Sequence, residues 1–502
     1  MNAHSDSIVQ QYRDVRRRVE EAVLPLATSI DGSHFVGQAS AHGLTLRTGG
    51  YVTIDAEGSA RLGQIVELEL IEVEGPELAS SAPDDTGTSV AASVRIRAVR
   101  VAGAILDGDG ASFHDGLMRP ATPEEVQAWL ERARPRRASL EIGQLRLAAG
   151  VPLSLDAGGF DRHTFLCGQS GSGKTYSLGV ILEQLLLETS LRVVLLDPNS
   201  DFVALGRTRD DVSDAVSARH AVNAGVVVRS AATEVGRLQL RFADLDPRTQ
   251  AALLRLDPIA DRGEYSALVA LLDRWSETGA TVSLEQFLAD GGDDARALGQ
   301  RLRNLGVDRW EVWARGENGS IVDQLATRAA RCLVVDLGSL TTLDEKAVVA
   351  EAVLATLWRQ RADREPTLIV IDEAHNVCPS DPGDPVLAIA TEHAVRIAAE
   401  GRKYGLYLLV STQRPHKVHE QVVSQCDNLV LMRMNSRSDL AHVAERFSFV
   451  PPALVAAATD FGLGDALVAG KIASHPAYVR FGSRITEEGG SDVSADWAAP
   501  RP

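Results

Sequence analysis

The stretch FLCGQSGSGKTYSLG, Phe165–Gly179, constrains this chain more than any other part of it. Gly168, Gln169, Ser170, Gly171, Ser172, Gly173, Lys174 and Thr175 satisfy the spacing Gly-x4-Gly-Lys-[Ser/Thr]. An apolar run, Thr164–Cys167, precedes the motif and a helical pattern follows it. Glycines at these positions let backbone N–H groups wrap an anion, and the helix behind them adds the positive end of its dipole. A chain that carries this segment has to fold a strand, a phosphate-wrapping turn and a helix in that order. The reading assigns Gly168–Thr175, with the adjoining Tyr176, to ATP. Lys174 reaches the β- and γ-phosphates, and Thr175 offers its hydroxyl to Mg2+.

The remainder of the pattern agrees with a parallel α/β sheet. Short, continuously apolar runs at Thr164–Cys167, Arg192–Leu196, Cys332–Asp336, Leu368–Ile371, Leu406–Val410 and Leu429–Met432 are the expected strands, buried on both faces and alternating with helices. Residues 140–484 form this core, with a mostly helical insertion at 247–325. Ahead of it, Ile8, Tyr12, Val15, Val19 and Val23 recur at helical spacing, which predicts an N-terminal helix within residues 1–29, ending before Pro25. Residues 30–120 alternate apolar and polar positions, as a small antiparallel barrel or sandwich does, with a loose polar loop at 75–88. A helix and basic linker occupy 121–139, and 485–502 has the composition of a disordered tail.

Composition narrows the class. A chain of 502 residues is expected to hold two or three domains. A net charge of −17 argues against a surface coated with basic residues but leaves room for a local basic channel. Four cysteines with no Cys-x-x-Cys pair argue for a reducing compartment and against a zinc cluster. No apolar run has transmembrane length and the N-terminus lacks a signal-peptide core, so a cytoplasmic protein is expected, with no membrane contact.

In PTLIVIDEAHNV, Pro366–Val377, an apolar strand ends in Asp372-Glu373. An aspartate at that place beside a phosphate loop holds Mg2+ with Thr175, and the adjacent Glu373 suits the general base that activates a water. The strand Leu406–Val410 follows and ends in Ser-Thr-Gln-Arg-Pro. Gln413 at its tip is a candidate γ-phosphate or water sensor, or else a polar strand cap. Arg402 ends the helix before that strand. It either faces a neighbouring subunit's nucleotide or satisfies its own helix C-terminus. Arg414, His416 and Lys417 are candidates for nucleic-acid contact, or are solvated loop residues.

These segments resemble the HerA–FtsK superfamily of ring-forming P-loop motor ATPases, and HerA-type proteins most closely. The resemblance rests on Arg162–Thr175, VVLLDPNSDF (Val193–Phe202), Leu254–Leu272, LIVIDEAHNVCP (Leu368–Pro379), EGRKYGLYLLVSTQRP (Glu400–Pro415) and Ser424–Met434. It implies a RecA-like ATPase core behind a small β-barrel domain. It also implies a homohexameric ring that threads double-stranded DNA, and often a nuclease or other effector partner. The resemblance places Lys174, Thr175, Asp372, Glu373 and Gln413 at the nucleotide, and Arg402 at the neighbour's, with Arg414 as runner-up. One departure stands out. HerA-type proteins typically read Asp-Pro-His-Gly-Glu-Tyr where this chain has Asp197-Pro198-Asn199-Ser200-Asp201-Phe202. Two alternatives share the same ATP site: an ATP-gated assembly scaffold for an effector, as in antiphage defence, and an ATPase like those of type IV secretion or conjugation.

Overall fold

The structure, a computed structural model, describes residues 10, 13–18, 23–79, 91–134, 137–278, 293–314 and 319–489. Six strands close a barrel in the order β1-β2-β5-β4-β3-β6: β1 Leu26–Ser29, β2 His34–Ser40, β3 Tyr51–Ala56, β4 Ser59–Ala79, β5 Ala91–Asp107 and β6 Phe113–Pro120. All their pairings are antiparallel. Phe35, Val52, Ile54, Ile65, Val101 and Met118 meet in the core that the closed barrel encloses. Residues 13–18 are helical. β1 begins directly after Pro25, inside the segment that the sequence reading gave to the N-terminal helix, because Leu26–Thr28 pairs with β2. Of the loop expected at 75–88, residues 75–79 continue β4, and the remainder lies outside the described residues.

Helix α1 (Pro123–Ala133) leads from the barrel to the core. It opens on a capping box in which Thr122 and Glu125 satisfy each other's backbone N–H groups. Barrel and core also meet through Tyr51, whose hydroxyl lies 2.7 Å from His475 Nε2.

Among the described residues the core sheet has eleven strands, in the order β11-β12-β10-β13-β14-β9-β15-β16-β17-β7-β8. Their limits are β7 Ser139–Leu145, β8 Pro152–Asp156, β9 His163–Cys167, β10 Arg192–Asp197, β11 Val226–Ser230, β12 Cys332–Asp336, β13 Thr367–Ile371, β14 Leu406–Thr412, β15 Cys426–Met432, β16 Asp465–Gly470 and β17 Ala477–Phe481. The seven from β11 to β15 run parallel, and the four from β16 to β8 pair antiparallel. All six apolar runs singled out above are strands of the parallel part, and β9, β10, β12 and β13 are buried at every residue. In space the strand between β9 and β13 is β14, while Cys332–Asp336 lies outboard of β10. That order puts the strand after Asp372-Glu373 directly beside the phosphate-loop strand.

Helices α2 (Lys174–Glu188) and α3 (Asp214–Ala224) follow β9 and β10. The insertion contributes α4 (Pro247–Leu253), α5 (Arg262–Thr278), α6 (Asp293–Leu305) and α7 (Ile321–Thr327), and α8 (Leu343–Arg359) and α9 (Pro385–Glu400) flank β13. Residues 279–292 of the insertion read as mostly helical lie outside the described residues. The expected disordered tail needs correction at its start. Ile485 and Thr486 donate backbone bonds to the buried Glu183 of α2 at 2.9 and 3.0 Å, and Thr486 is fully buried. Residues 490–502 lie outside the described residues.

Candidate active site

The phosphate loop spans the gap between β9 and α2. Gly171 and Gly173 sit at φ of 70° and 93°, the left-handed region that a side chain resists, and Gly173 caps α2 without a side chain of its own. Neighbouring elements engage the loop's carbonyls: Arg433 Nη2 donates to Gly171 O at 3.0 Å, and Gly464 N donates to Ser172 O at 3.1 Å. With carbonyls held from outside, the loop presents backbone N–H groups to an anion at a helix N-terminus.

Lys174 is buried and reaches across to the neighbouring strand ends. Its Nζ lies 2.8 Å from Asp372 Oδ1, 3.0 Å from Glu373 Oε1 and 3.1 Å from Ser411 Oγ. Burial alone would lower its pKa, but the Asp372 and Glu373 carboxylates outweigh that and raise it. Asp372 and Glu373 follow β13, and Ser411 belongs to β14, so the parallel register brings all three to one edge. Glu373 holds a φ of 43°, left-handed for a residue with a side chain. Such backbone costs on the order of 1–3 kcal/mol and persists where surrounding contacts fix it. Here Gln413 Nε2 donates to Glu373 Oε1 at 2.8 Å, and His375 Nδ1 lies 3.3 Å from Oε2. Burial, with Arg414, Lys174 and Lys417 nearby, holds the His375 pKa low despite Glu373.

A second acidic group adjoins this one. Asp197 at the end of β10, Asp201 and Asp372 place carboxylate oxygens within 4.8 Å of one another. Asp372 Oδ2 is buried without a hydrogen-bond partner, and Thr175 Oγ1 donates to Asp201 Oδ2 at 3.5 Å. A hydroxyl and three carboxylates, one with an unused buried oxygen, form an oxygen-only donor set that fits Mg2+. Burial raises the Asp197 carboxyl to about 7, with Asp372 and Asp201 adding to the effect. Asp201 is likewise raised, first by burial and then by Asp372.

The departure at Asn199-Ser200 falls in this turn. Ser200 takes a φ of 63°, and its Oγ donates to Asp336 Oδ1 at 2.7 Å. A glycine would hold that backbone without strain, and the serine offsets the strain with a hydrogen bond. Asp197 fixes the turn by accepting from the N–H groups of Asn199, Asp201 and Phe202.

A cavity of about 910 Å³ opens over the loop. Gln169, Ser170, Gly171, Gly173, Lys174, Thr175, Tyr176, Glu373 and Gln413 line it, so the structure gathers most of the sequence-assigned residues in one place; Gly168, Ser172 and Asp372 are not among its lining residues. Its other wall comes from residues that the motifs do not mark: Leu463-Gly464, Arg480–Ser483 and Glu488-Gly489. Arg484 carries this wall. Its N–H donates to Tyr176 Oη at 2.7 Å and its Nε to Glu183 Oε1 at 3.2 Å. Asp197, Asp201, Ser411 and this segment are the contributors that sequence reasoning missed. Asp201 left a trace, as the acid kept in kind in the departed turn.

Arg402 lies elsewhere. It precedes β14, at the amino ends of the parallel strands, about 20 Å of strand away from Gln413. Its Nη1 contacts Asp427 Oδ2 at 2.7 Å, and Arg162 Nε lies 3.6 Å from the same oxygen. It cannot serve the cavity of its own chain. Arg414 is exposed just beyond β14, and His416 contacts Asp439 at 2.7 Å.

Residues 140–357 match the family model described as the central domain of the helicase HerA. A DNA double-strand break repair helicase HerA of Pyrococcus furiosus is 23% identical over 68% of this chain and 69% of its own length. A probable helicase of Methanocaldococcus jannaschii is 22% identical over 89% of this chain and 88% of its own. Among solved structures, VirB4 of Thermoanaerobacter pseudethanolicus is 15% identical over 70% of this chain and 97% of its own, with a TM-score of 0.48.

Proposed function

We propose that this chain, whose residues 140–357 match the HerA central-domain model, is a HerA-type ATPase that forms a homohexameric ring and uses ATP hydrolysis to move along, or unwind, double-stranded DNA. The observation that supports the hydrolytic part most strongly is the meeting of Lys174, Asp372, Glu373 and Gln413 at the carboxyl ends of three adjacent parallel strands.

Lys174 sets one ammonium group against the carboxylates of both Asp372 and Glu373. An arriving γ-phosphate competes for that ammonium group and releases the carboxylates to their working partners. Mg2+ would be held through Thr175 and Asp372, with Asp201 and Asp197 behind them, and it supplies charge neutralisation on the phosphate oxygens when bound. Glu373, freed from Lys174 and steered by Gln413, takes the proton of the attacking water. Gln413 joins the γ-phosphate end of the site to β14, the strand that Arg402 precedes. In this reading Arg402 leaves Asp427 when a neighbouring subunit docks, and meets the transition-state charge on that subunit's nucleotide.

The DNA substrate and the ring rest on the family, as does a nuclease or other effector partner. Among the described residues no helix is long and apolar enough to cross a membrane, and the same reading has the protein work in the cytoplasm. The test is steady-state phosphate release with and without duplex DNA. Stimulation by duplex, weakening as salt rises, is expected. Turnover indifferent to DNA would favour the ATP-gated scaffold instead.

A further inference from the structure

Away from the nucleotide cavity, Asp246, Glu351 and His393 come together with their ligand atoms all within 4.8 Å of one another. They come from three elements: Asp246 caps α4, Glu351 lies midway along α8 and His393 midway along α9. His393 Nε2 is 3.6 Å from Glu351 Oε1.

The group is poorly satisfied as it stands. Glu351 is fully buried, yet neither of its carboxylate oxygens has a hydrogen-bond partner among the described residues, and His393 Nδ1 has none either. A buried carboxylate in that condition needs a proton or a cation. Among the described residues no lysine or arginine pairs with Glu351 itself. Arg359 Nη1 contacts Asp246 Oδ1 at 3.0 Å, Arg248 pairs with Glu392, and Arg396 lies over the Trp358 ring.

We propose that Asp246, Glu351 and His393 bind a divalent transition-metal ion of the Zn2+ or Mn2+ class. The 3.6 Å between His393 and Glu351 fits the edge of a tetrahedron whose bonds to the ion are about 2.0–2.2 Å, which is roughly 3.3–3.6 Å. One imidazole and two carboxylates form a borderline donor set, distinct from the oxygen-only group near Thr175. Arg359 on Asp246 Oδ1 orients that carboxylate and leaves Oδ2 for the ion. The two carboxylates balance its charge. The ion would tie α4, the first helix of the insertion, to the helices on either side of β13. One of these leads to Asp372-Glu373 and the other to Arg402.

Co2+ serves as the probe, titrated into the chelator-stripped full chain with excess Mg2+ present to fill the nucleotide site. One equivalent per chain should bind with visible absorption bands of nitrogen–oxygen ligation. Affinity should fall at least tenfold in Glu351→Gln and in His393→Gln, and hold in Asp201→Asn. The metal-free state gives an independent check. There Glu351→Gln removes a buried carboxyl group whose two oxygens lack partners, so the variant should melt above wild type, and saturating Co2+ should reverse that order. No retained Co2+ in Mg2+ excess, or equal retention by wild type and both variants, would overturn the proposal. A melting order that Co2+ leaves unchanged would overturn it as well.

Discussion

Replacing Glu373 with glutamine isolates the step on which the hydrolytic reading depends. The amide keeps the size of the side chain and leaves Gln413 a partner, but it cannot accept a proton from water. Positioned general bases contribute roughly 10²–10⁴ in rate. At about 1.36 kcal/mol per decade, that is about 2.7–5.4 kcal/mol of lost transition-state stabilisation. Binding should fare differently. Lys174 keeps Asp372 at 2.8 Å and Ser411 at 3.1 Å, so the cradle stays assembled, and one negative charge beside the γ-phosphate is gone. Glu373→Gln should therefore bind ATP at least as tightly as wild type, while phosphate release falls by two to four decades. The assays are steady-state phosphate release and titration with a fluorescent ATP analogue. Turnover within tenfold of wild type would remove Glu373 from the base role. Loss of binding would mean that the carboxylate holds the loop together and is not reserved for the water.

Other outcomes follow from the same geometry. Arg402→Ala should abolish turnover, and mixing it with Lys174→Ala chains should restore part of the activity at hybrid interfaces; mixed rings that assemble without rescue would refute a role across the interface. Glu183→Gln leaves the buried Arg484 guanidinium without its countercharge and should cost about 3–5 kcal/mol, read as a lower denaturation midpoint. It should also weaken nucleotide binding, because residues 480–489 line the cavity. The Asp197 carboxyl, raised from 3.8 to about 7, keeps a proton in the folded chain that the unfolded chain has lost. Its contribution to stability is therefore full below about pH 4 and lost as pH rises through about 7. Without nucleotide or Mg2+, Asp197→Asn should flatten that part of the pH profile, and a profile identical to wild type would contradict the shift.

Six of the seven parallel strands were legible because β9, β10, β12, β13, β14 and β15 are buried on both faces, which forces unbroken apolar runs, whereas β11, half-buried at the sheet edge, was missed. β7, β8, β16 and β17 escaped because antiparallel strands with polar positions, such as SLEIGQL, give a weaker signal than a continuous run. Strand order was not written locally either, and β14 takes its place between β9 and β13 through packing. The meeting of the phosphate loop with Asp372 and Glu373 was legible because both motifs end strands of one parallel sheet. The far wall of the cavity was not. It depends on Glu183, one acid in the apolar run LEQLLLE, binding Arg484 and Thr486 some 300 positions later in the chain. Glu351 and His393 were hidden in the same way, each an ordinary residue on its own helix until α8 and α9 pack together.

The central claim is that hydrolysis at this site drives movement along duplex DNA. Displacement of a third strand from a triplex, placed ahead of the protein on an otherwise intact duplex, measures that movement directly. Wild type should strip the third strand only with ATP and Mg2+, and Glu373→Gln, although it binds ATP, should leave it in place. Vigorous duplex-stimulated hydrolysis with the triplex left intact would contradict a motor on double-stranded DNA.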